Sequence, residues 1–376
     1  MDTARYYVVT LILGIGIMGV WLGGPWVWAG LITFPILLAL DLILPADHAS
    51  RSVRSNVLVN VPVYLHVPLM LALWGAMLVR LGQWHDGALS MSGGELAGII
   101  LSVGFLGAVP NVPVTHELMH RRHPVPRALS KIGTTFFLDP NRDVGHRLTH
   151  HLELCTPADS DTPTRGQTIY SFMWQAAWGA WKDGVTTSLM ALRKRDLSFF
   201  HRKNALYVEL GLLFGLIAIT AVMSGWAGLA VAGGALLFSK LLGEGFNYLQ
   251  HYGMVRVPGA PVRVHHAWNH LGAVMRPVGL EITNHIDHHF DSRHQFYELA
   301  PRVDGAQMPS GFLCFVAALV PPVWERYIAK PLLRHWDQNF ASPEEQRMAM
   351  EQNARAGWPI WVEVPAPARP QPVAAV

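Results

Sequence analysis

The chain has 376 residues, of which 51% are hydrophobic and only 15% are charged, with 14 tryptophans and a net charge of +3. One soluble core does not need so much apolar surface, so the composition indicates a membrane protein. Lysine and arginine form no basic stripe interleaved with aromatic residues, which argues against nucleic acid as a partner. The two cysteines, Cys155 and Cys314, lie far apart and suggest neither a disulfide framework nor a thiolate zinc site.

Six apolar stretches are long enough, at about 20 residues each, to cross the hydrocarbon core of a bilayer as helices. They lie near residues 6–23, 26–45, 58–80, 95–115, 205–223 and 227–246. The first lacks a small-residue cleavage site and is followed almost directly by the second. We therefore expect it to remain in place as an anchor.

The charges of the loops predict the orientation. Loop 46–57 carries Arg51 and Arg54, and segment 121–204 carries many lysines and arginines, whereas the connections at 24–25, 82–94 and 224–226 carry none. Positive residues are retained on the cytoplasmic side of a membrane. The pattern predicts a multi-pass protein of a bacterial-type inner membrane, with both termini and the active site facing the cytoplasm.

The fold class predicted is all-α, with six transmembrane helices and a cytoplasmic helical cap that holds a histidine-rich dimetal site. The histidines have helical spacing, and alternating runs of β-branched residues are few. The Pro- and Ala-rich end of the chain is expected to be disordered. The regions are transmembrane helices one to four (1–115), a cytoplasmic histidine-box region (116–204), helices five and six (205–246), a cytoplasmic cap (247–363) and the tail (364–376).

Four histidine boxes carry the chemistry. They contain His116 and His120; His146, His150 and His151; His251; and His285, His288 and His289. Helical residues four apart differ by roughly 40° in direction, so His116 and His120 can bind one metal. The second box repeats that spacing and adds an adjacent histidine, so the trio could serve two metals. Nine imidazoles exceed one mononuclear site, and they suit zinc, copper and iron alike.

Acidic residues accompany every box with two or more histidines, and ligating histidines usually donate their second N–H to a carboxylate or carbonyl. We expect this supporting role of Glu117, Asp159, Asp287 and, near the end of the sixth span, Glu244; Asp143, Glu153, Asp161 and Asp291 also lie close. Five further histidines break the spacing of the boxes and are expected to be hydrogen-bonded or exposed: His123, His265, His266, His270 and His294.

Two other functions remain open for the histidine boxes. The run from His116 to His120 matches HExxH, in which Glu117 would be the general base of a membrane zinc protease. That hypothesis leaves seven boxed histidines without a role. A metal-binding transporter is a second remote alternative, although the sequence shows no duplicated halves.

The boxes resemble those of the membrane-bound alkane hydroxylase and xylene monooxygenase family, within the larger fatty-acid desaturase and hydroxylase superfamily. The similarity runs from the first span to about residue 312. It rests on HELMH at 116–120, on the second box with Thr156, Pro157 and Asp159, on NYLQHYGMVR at 247–256, on HIDHH at 285–289, and on Gln307, Pro309, Ser310 and Gly311.

This resemblance implies that the nine histidines bind two irons, that O2 is the cosubstrate, and that NADH supplies electrons through a separate flavin and iron–sulfur reductase or a rubredoxin. The chain itself shows no GxGxxG fingerprint and no cysteine set for an iron–sulfur cluster. Gly145, Thr149, Gln250 and residues 282–284 depart from the alkane hydroxylase pattern.

Those departures, with GMVRVPG and NHIDHHFDS, favour the branch that hydroxylates methyl groups of xylene and cymene. The implied reaction converts toluene- and xylene-type alkylarenes to benzyl alcohols. Terminal alkane hydroxylation and lipid desaturation or hydroxylation remain as alternatives.

Overall fold

The computed structural model describes residues 2–140 and 142–363, so the predicted disordered tail lies outside the described residues. In this part of the chain the regular elements are helical, as predicted, and no strand is formed. The α-helices are α1 (Asp2–Arg5), α2 (Val8–Leu22), α3 (Ala29–Ile43), α4 (Asn56–His85), α5 (Gly93–Ala108), α6 (Asn111–His120), α7 (Pro124–Thr135), α8 (Arg142–Gly145), α9 (His151–Glu153), α10 (Ile169–Arg193), α11 (Leu206–His251), α12 (Met275–Val278), α13 (His285–Phe290), α14 (Gly311–Ala318), α15 (Pro321–Trp324), α16 (Lys330–Asn339) and α17 (Pro343–Arg355).

Five helical stretches among the described residues are long and apolar enough to cross a membrane. They are Asp2–Leu22, Gly24–Ile43, Asn56–His85, Gly93–His120 and Leu206–His251. The first four match the first four predicted spans in order. The predicted fifth and sixth spans are both contained in the fifth stretch, which has 46 residues.

Gly225 interrupts that last stretch at the predicted connection. Its φ of 61° and ψ of −170° lie in a region open essentially to glycine alone, and a Cβ there would come within 2.6 Å of the His85 ring. Leu216, before the break, and Leu236, after it, line the same cavity. The two halves of α11 therefore lie side by side as a hairpin, and the second half returns towards α6.

Polar caps and a proline set the ends of the helices that lead to the site. The Ser92 hydroxyl accepts a hydrogen bond from the Glu95 N–H, and Glu95 reciprocates, so a capping box starts α5. Pro110 separates α5 from α6 because it lacks an N–H. Asn111 then donates from its side-chain nitrogen to the carbonyls of Gly107 and Gly133, at 3.0 Å each. This break sets the direction of α6, which carries the first histidine box.

Buried ion pairs join the polar segments to one another and to the spans. Arg165 makes two hydrogen bonds of 2.7 Å to Asp337 and a third, of 2.8 Å, to the carbonyl of Gly253. It thereby ties the segment before α10 to the segment after α11 and to α16. The buried Asp41 accepts hydrogen bonds of 2.9 Å from the N–H groups of Val274 and Met275. Asp41 therefore holds the start of α12, which is a structural role.

Candidate metal centre

The nine histidines of the boxes form two groups. Within each group, one ring nitrogen of every histidine lies within 4.8 Å of those of the others. The first cluster consists of His116, His120, His146, His151 and His288, and the second cluster of His150, His251, His285 and His289. Each cluster combines residues that precede α11 with residues at its end or beyond it. The arrangement fits the dimetal site that the boxes predict.

The second box divides between the clusters in a way that the helical spacing did not predict. His146 and His150 are four residues apart, yet His146 lies in the first cluster with His151, and His150 lies in the second. Residues His146–His150 form a π turn, whose wider winding brings residues five apart onto one face. The Nε2 atoms of His146 and His151 are 3.2 Å apart. The trio therefore contributes to both clusters, as predicted, but His151 rather than His150 lies with His146.

Distances between the ring nitrogens fit a metal ion in each cluster. In the first, Nε2 of His116 and Nε2 of His146 are 2.8 Å apart. In the second, Nε2 of His285 is 2.9 Å from that of His251 and 3.1 Å from that of His289. Two ligands at right angles, each about 2.1 Å from a metal ion, would be about 3.0 Å apart. Lone pairs that converge so closely repel unless a proton or a cation lies between them.

The protonation state of most of these rings also favours metal binding. Burial, reinforced by neighbouring imidazoles, holds the pKa well below its ordinary value in four clustered histidines outside the spans: His146, His285, His288 and His289. These rings are neutral near pH 7, which is the form that coordinates a metal. For His150, burial acts to lower the pKa, but the charge and hydrogen bond of Asp159 outweigh it and raise the pKa.

Two ligands are oriented through their second nitrogen. His150 Nδ1 lies 3.0 Å from Asp159 Oδ2, and that carboxylate also accepts hydrogen bonds from the Thr162 hydroxyl and the Asp161 N–H. His251 donates from Nδ1 to the carbonyl of His266, at 3.3 Å. Both contacts direct Nε2 into the second cluster, which is the supporting arrangement known for metal-bound histidines.

The other acids near the boxes contact different partners. Glu117 pairs with Arg121 at 2.6 Å, Glu244 accepts from Lys240 at 2.6 Å, and Asp287 accepts from the Ala300 N–H at 2.9 Å. Of the four acids predicted to support ligands, Asp159 therefore has the clearest geometry. The remaining acids are placed as follows: Asp143 lies 3.9 Å from Arg127, Glu153 accepts from Thr156, Asp161 is buried beside Asp159, and Asp291 pairs with Arg293.

Glu281 is a supporting residue that the sequence did not indicate. It is fully buried four residues before His285, and it accepts hydrogen bonds from Tyr6, Arg51, Arg276 and Asn284. These contacts fix the start of α13 against the N-terminal helix and the loop after α3. No local pattern marks Glu281, because its partner Tyr6 lies 275 residues away.

Four of the five histidines that break the box spacing are hydrogen-bonded or exposed, as expected, whereas His265 is buried and its Nε2 lies 3.9 Å from Glu345 Oε2, beyond hydrogen-bond distance. His266 is buried and bonded to Glu345, and His270 lies 2.7 Å from the carbonyl of Pro309. His123 is exposed, and the side chain of His294 is 48% exposed.

A mostly apolar cavity adjoins both clusters. It has a volume of about 80 Å³ and reaches His116 and His146 of the first cluster and His150 and His285 of the second. Its other walls are Ala108, Val109, Val112, Pro113, Arg142, Gly243, Phe246, Asn247, Gln250, Met275, Val278, Gly279, Ile282, Thr283 and Phe312. From Ala108 to His116 the chain rises about 12 Å along α5 and α6, so the cavity runs from the metal ligands into the spans. A small apolar molecule could lie there against both clusters.

Comparison with known proteins agrees with this geometry. Residues 95–309 match the family described as "Fatty acid desaturase", which is more than half of the chain. The chain is 46% identical over 364 residues to the "Xylene/toluene monooxygenase hydroxylase component XylM" of Pseudomonas putida, covering 96% of this chain and 98% of that protein. It is 29% identical to alkane 1-monooxygenase 1 of Pseudomonas aeruginosa, over 69% of this chain and 68% of that one. An alkane 1-monooxygenase of Pseudomonas putida is 25% identical over 88% of this chain and 81% of its own length. Because the matched range contains all four histidine boxes and more than half of the chain, the chain belongs to the fatty acid desaturase family.

Proposed function

We propose that this chain is the hydroxylase component of a membrane di-iron monooxygenase, and that it hydroxylates a methyl group of toluene- or xylene-type alkylarenes. The observation that carries the proposal is the apolar cavity that meets both histidine clusters. The relative with 46% identity, which carries the xylene/toluene monooxygenase name, supports the substrate class.

Nine residues would hold the two irons, five imidazoles in the first cluster and four in the second. The bound irons would supply the activation of O2 and the transfer of electrons to it. Asp159 and the His266 carbonyl keep two of these imidazoles in the tautomer and direction that a ligand needs. The rest of the chain contributes orientation and the exclusion of water.

The cavity walls provide that orientation. Val112, Phe246 and Ile282 offer apolar surface to an aromatic ring, while His116 and His285 mark the end at which the methyl group would react. Gln250 and Ile282, two of the positions that depart from the alkane hydroxylase pattern, both line this cavity. A change at these positions alters the shape of the substrate site directly.

The complete reaction joins the alkylarene with O2, two electrons and two protons, and yields a benzyl alcohol and water. We propose that a separate NADH-dependent reductase, either a flavin and iron–sulfur protein or a rubredoxin, docks on the cytoplasmic face and supplies the electrons. The sequence supports this because it carries no nucleotide fingerprint and no iron–sulfur cysteine set.

The loop charges support a bacterial-type inner membrane location with both termini in the cytoplasm. In this arrangement regions 1–115 and 205–246 cross the bilayer, and regions 116–204 and 247–363 form the cap. The contact of Arg165 with Asp337 and Gly253 supports a cap built from both polar regions.

A zinc protease is the weaker alternative, because the His116 and His120 of its motif lie among seven other imidazoles. Alkane hydroxylation is the stronger rival, since relatives of 25–29% identity carry that name. A lipid desaturase or hydroxylase remains a further rival within the same family.

One experiment separates these functions. Membranes that contain the chain and a matched reductase receive NADH, O2 and a mixture of octane, p-xylene and p-cymene, and the alcohols are measured by gas chromatography. We expect benzylic alcohols from p-xylene and p-cymene. Octanol as the sole product would overturn the aromatic assignment, and no alcohol despite an active reductase and two bound irons would contradict hydroxylation of small hydrocarbons.

A further inference from the structure

We propose that residues 311–324, which comprise α14 and α15, are inserted into the bilayer and contact its acyl chains, although they follow the last histidine box and were expected to belong to the cytoplasmic cap. The proposal concerns a surface and its partner, the lipid. It rests on the depth of this segment beside α3, on its composition and on the side chains it exposes.

Aromatic contacts place the segment beside the middle of a spanning helix. Phe34 is the eleventh residue of the 20-residue stretch Gly24–Ile43. Its ring lies 5.8 Å from that of Phe312 and 6.2 Å from that of Phe315, centroid to centroid. From Phe34 to Ile43 a helix rises about 13 Å, close to half of the hydrocarbon thickness. The first turns of α14 therefore lie well inside the bilayer, if α3 spans it.

The composition suits that depth. The 14 residues from Gly311 to Trp324 contain no charged side chain. An apolar run of this length is too short to span a bilayer and is typical of re-entrant or interfacial segments. The start of α14 is capped, because the Ser310 hydroxyl accepts a hydrogen bond from the Leu313 N–H.

The segment exposes apolar side chains to a similar degree as the neighbouring span. Val316 is 38% exposed and Val320 is 51% exposed, while Ile36 on α3 is 53% exposed. An apolar surface of this kind is unfavourable in water and favourable against acyl chains. Lipid covers the exposed face of a spanning α3, and the Phe34 contacts put α14 at the same depth, so we infer lipid as the occupant of the exposed face of α14 as well.

Aromatic residues flank this surface where the bilayer interface would lie. Tyr170, which is 51% exposed, donates from its hydroxyl to the carbonyl of Leu319 at 2.7 Å. Tyr327, just after α15, is 67% exposed. Tyrosine and tryptophan are enriched at membrane–water interfaces, where the ring is apolar and the hydroxyl is wet. The segment would thus enter and leave the membrane near these rings.

The position of α14 has a consequence for the cavity. Phe312 lines the cavity and is fully buried, and Val316, one helical turn further along α14, is 38% exposed. One turn of helix would then separate lipid from the site where an apolar substrate lies.

Quenching of a site-specific probe tests the proposal in the full-length chain reconstituted into lipid nanodiscs. Both native cysteines are buried, so a cysteine introduced at Val316 can be labelled with a nitrobenzoxadiazole dye, and the unaltered chain gives the background. Ile36→Cys is the control for lipid contact, and Glu351→Cys, on the charged helix α17, is the control for water. Lipids with a nitroxide on the acyl chain report contact with the bilayer, and aqueous iodide reports contact with water.

We expect the probe of Val316→Cys to behave like that of Ile36→Cys, with acyl-chain quenching at least threefold stronger than iodide quenching, and the probe of Glu351→Cys to show the reverse. Iodide quenching equal to that of Glu351→Cys would place α14 in water and overturn the proposal. Weak quenching by both agents would mean that protein covers the surface, which also overturns it. Val320→Cys serves as the second position if Val316→Cys does not elute as a folded protein.

Discussion

His251 donates a hydrogen bond from Nδ1 to the main-chain carbonyl of His266, 15 residues away, at 3.3 Å. The ring of His266 is itself fixed. Its Nδ1 accepts from the Arg263 N–H at 3.0 Å, so its Nε2 must carry the proton that it donates to Glu345 Oε1 at 2.8 Å. His266 and Glu345, with His265 beside them, are therefore better explained as a hydrogen-bonded support for His251 than as a further metal site.

Glu345→Ala should weaken this support, whereas Glu345→Gln should largely retain it. Alanine leaves the buried Nε2–H of His266 without an acceptor, at a cost of about 1–3 kcal/mol, and removes the capping box with Ser342. Glutamine can accept the same bond and can serve in a capping box. The iron content after dialysis against a chelator and the unfolding temperature are the measurements. Equal iron retention in the alanine and glutamine variants would contradict the role of the carboxylate.

His251→Ala should remove a ligand from the second cluster alone and leave the first cluster intact. We expect about one iron fewer per chain and loss of hydroxylation, because the second cluster loses one of only four imidazoles. Metal analysis of purified protein measures the change. His335→Ala, on the exposed face of α16, is the matched control and should bind iron as the unaltered chain does. Unchanged iron and activity in His251→Ala would remove this residue from the ligand set.

Asp159→Asn should loosen the second cluster through His150. The amide is isosteric with the carboxylate, but it lacks the charge that favours a hydrogen bond from His150 Nδ1. Loss of such a supporting carboxylate typically lowers metal affinity about 10–100-fold. Competition with a chelator of known affinity measures the shift. Asp304→Asn, whose side chain is 57% exposed, is the control, and an equal shift in both variants would show that Asp159 has no special role.

Gly243 offers a way to narrow the cavity without disturbing the fold. A Cβ at Gly243 would lie 3.5 Å from Val112 Cγ2, which is an ordinary contact, so Gly243→Ala should fold normally. Gly243→Leu should fill part of the cavity. One methylene in such a pocket changes kcat/KM about 10–200-fold. We therefore expect kcat/KM of the leucine variant to fall more than tenfold further for p-cymene than for toluene.

Phe312→Ala should have the opposite effect on substrate preference, because it removes a ring from the wall of the cavity. The ratio of kcat/KM for p-cymene to that for toluene, measured with the same reductase, checks both changes. If the ratio moved in the same direction in Gly243→Leu and Phe312→Ala, the cavity would not be the substrate site.

Local patterns were enough to predict which histidines come together, since each box is a short run whose spacing is visible in the sequence. The all-helical fold and the break at Gly225 were likewise predicted from apolar lengths and a charge-free connection. The distribution of His146, His150 and His151 between the clusters was not, because the π turn depends on packing around it. Glu281 and the full set of residues that line the cavity were also missed, as their contacts join residues from distant parts of the chain.

The two clusters also constrain the order in which the protein can assemble. His116 and His288 meet in the first cluster although 172 residues separate them, and the hairpin of α11 lies between them. Neither cluster is complete until that hairpin has entered the bilayer and the ribosome has passed His289. We therefore expect completion of both clusters to be a late step in biogenesis, after which bound ions would hold both halves of the chain together.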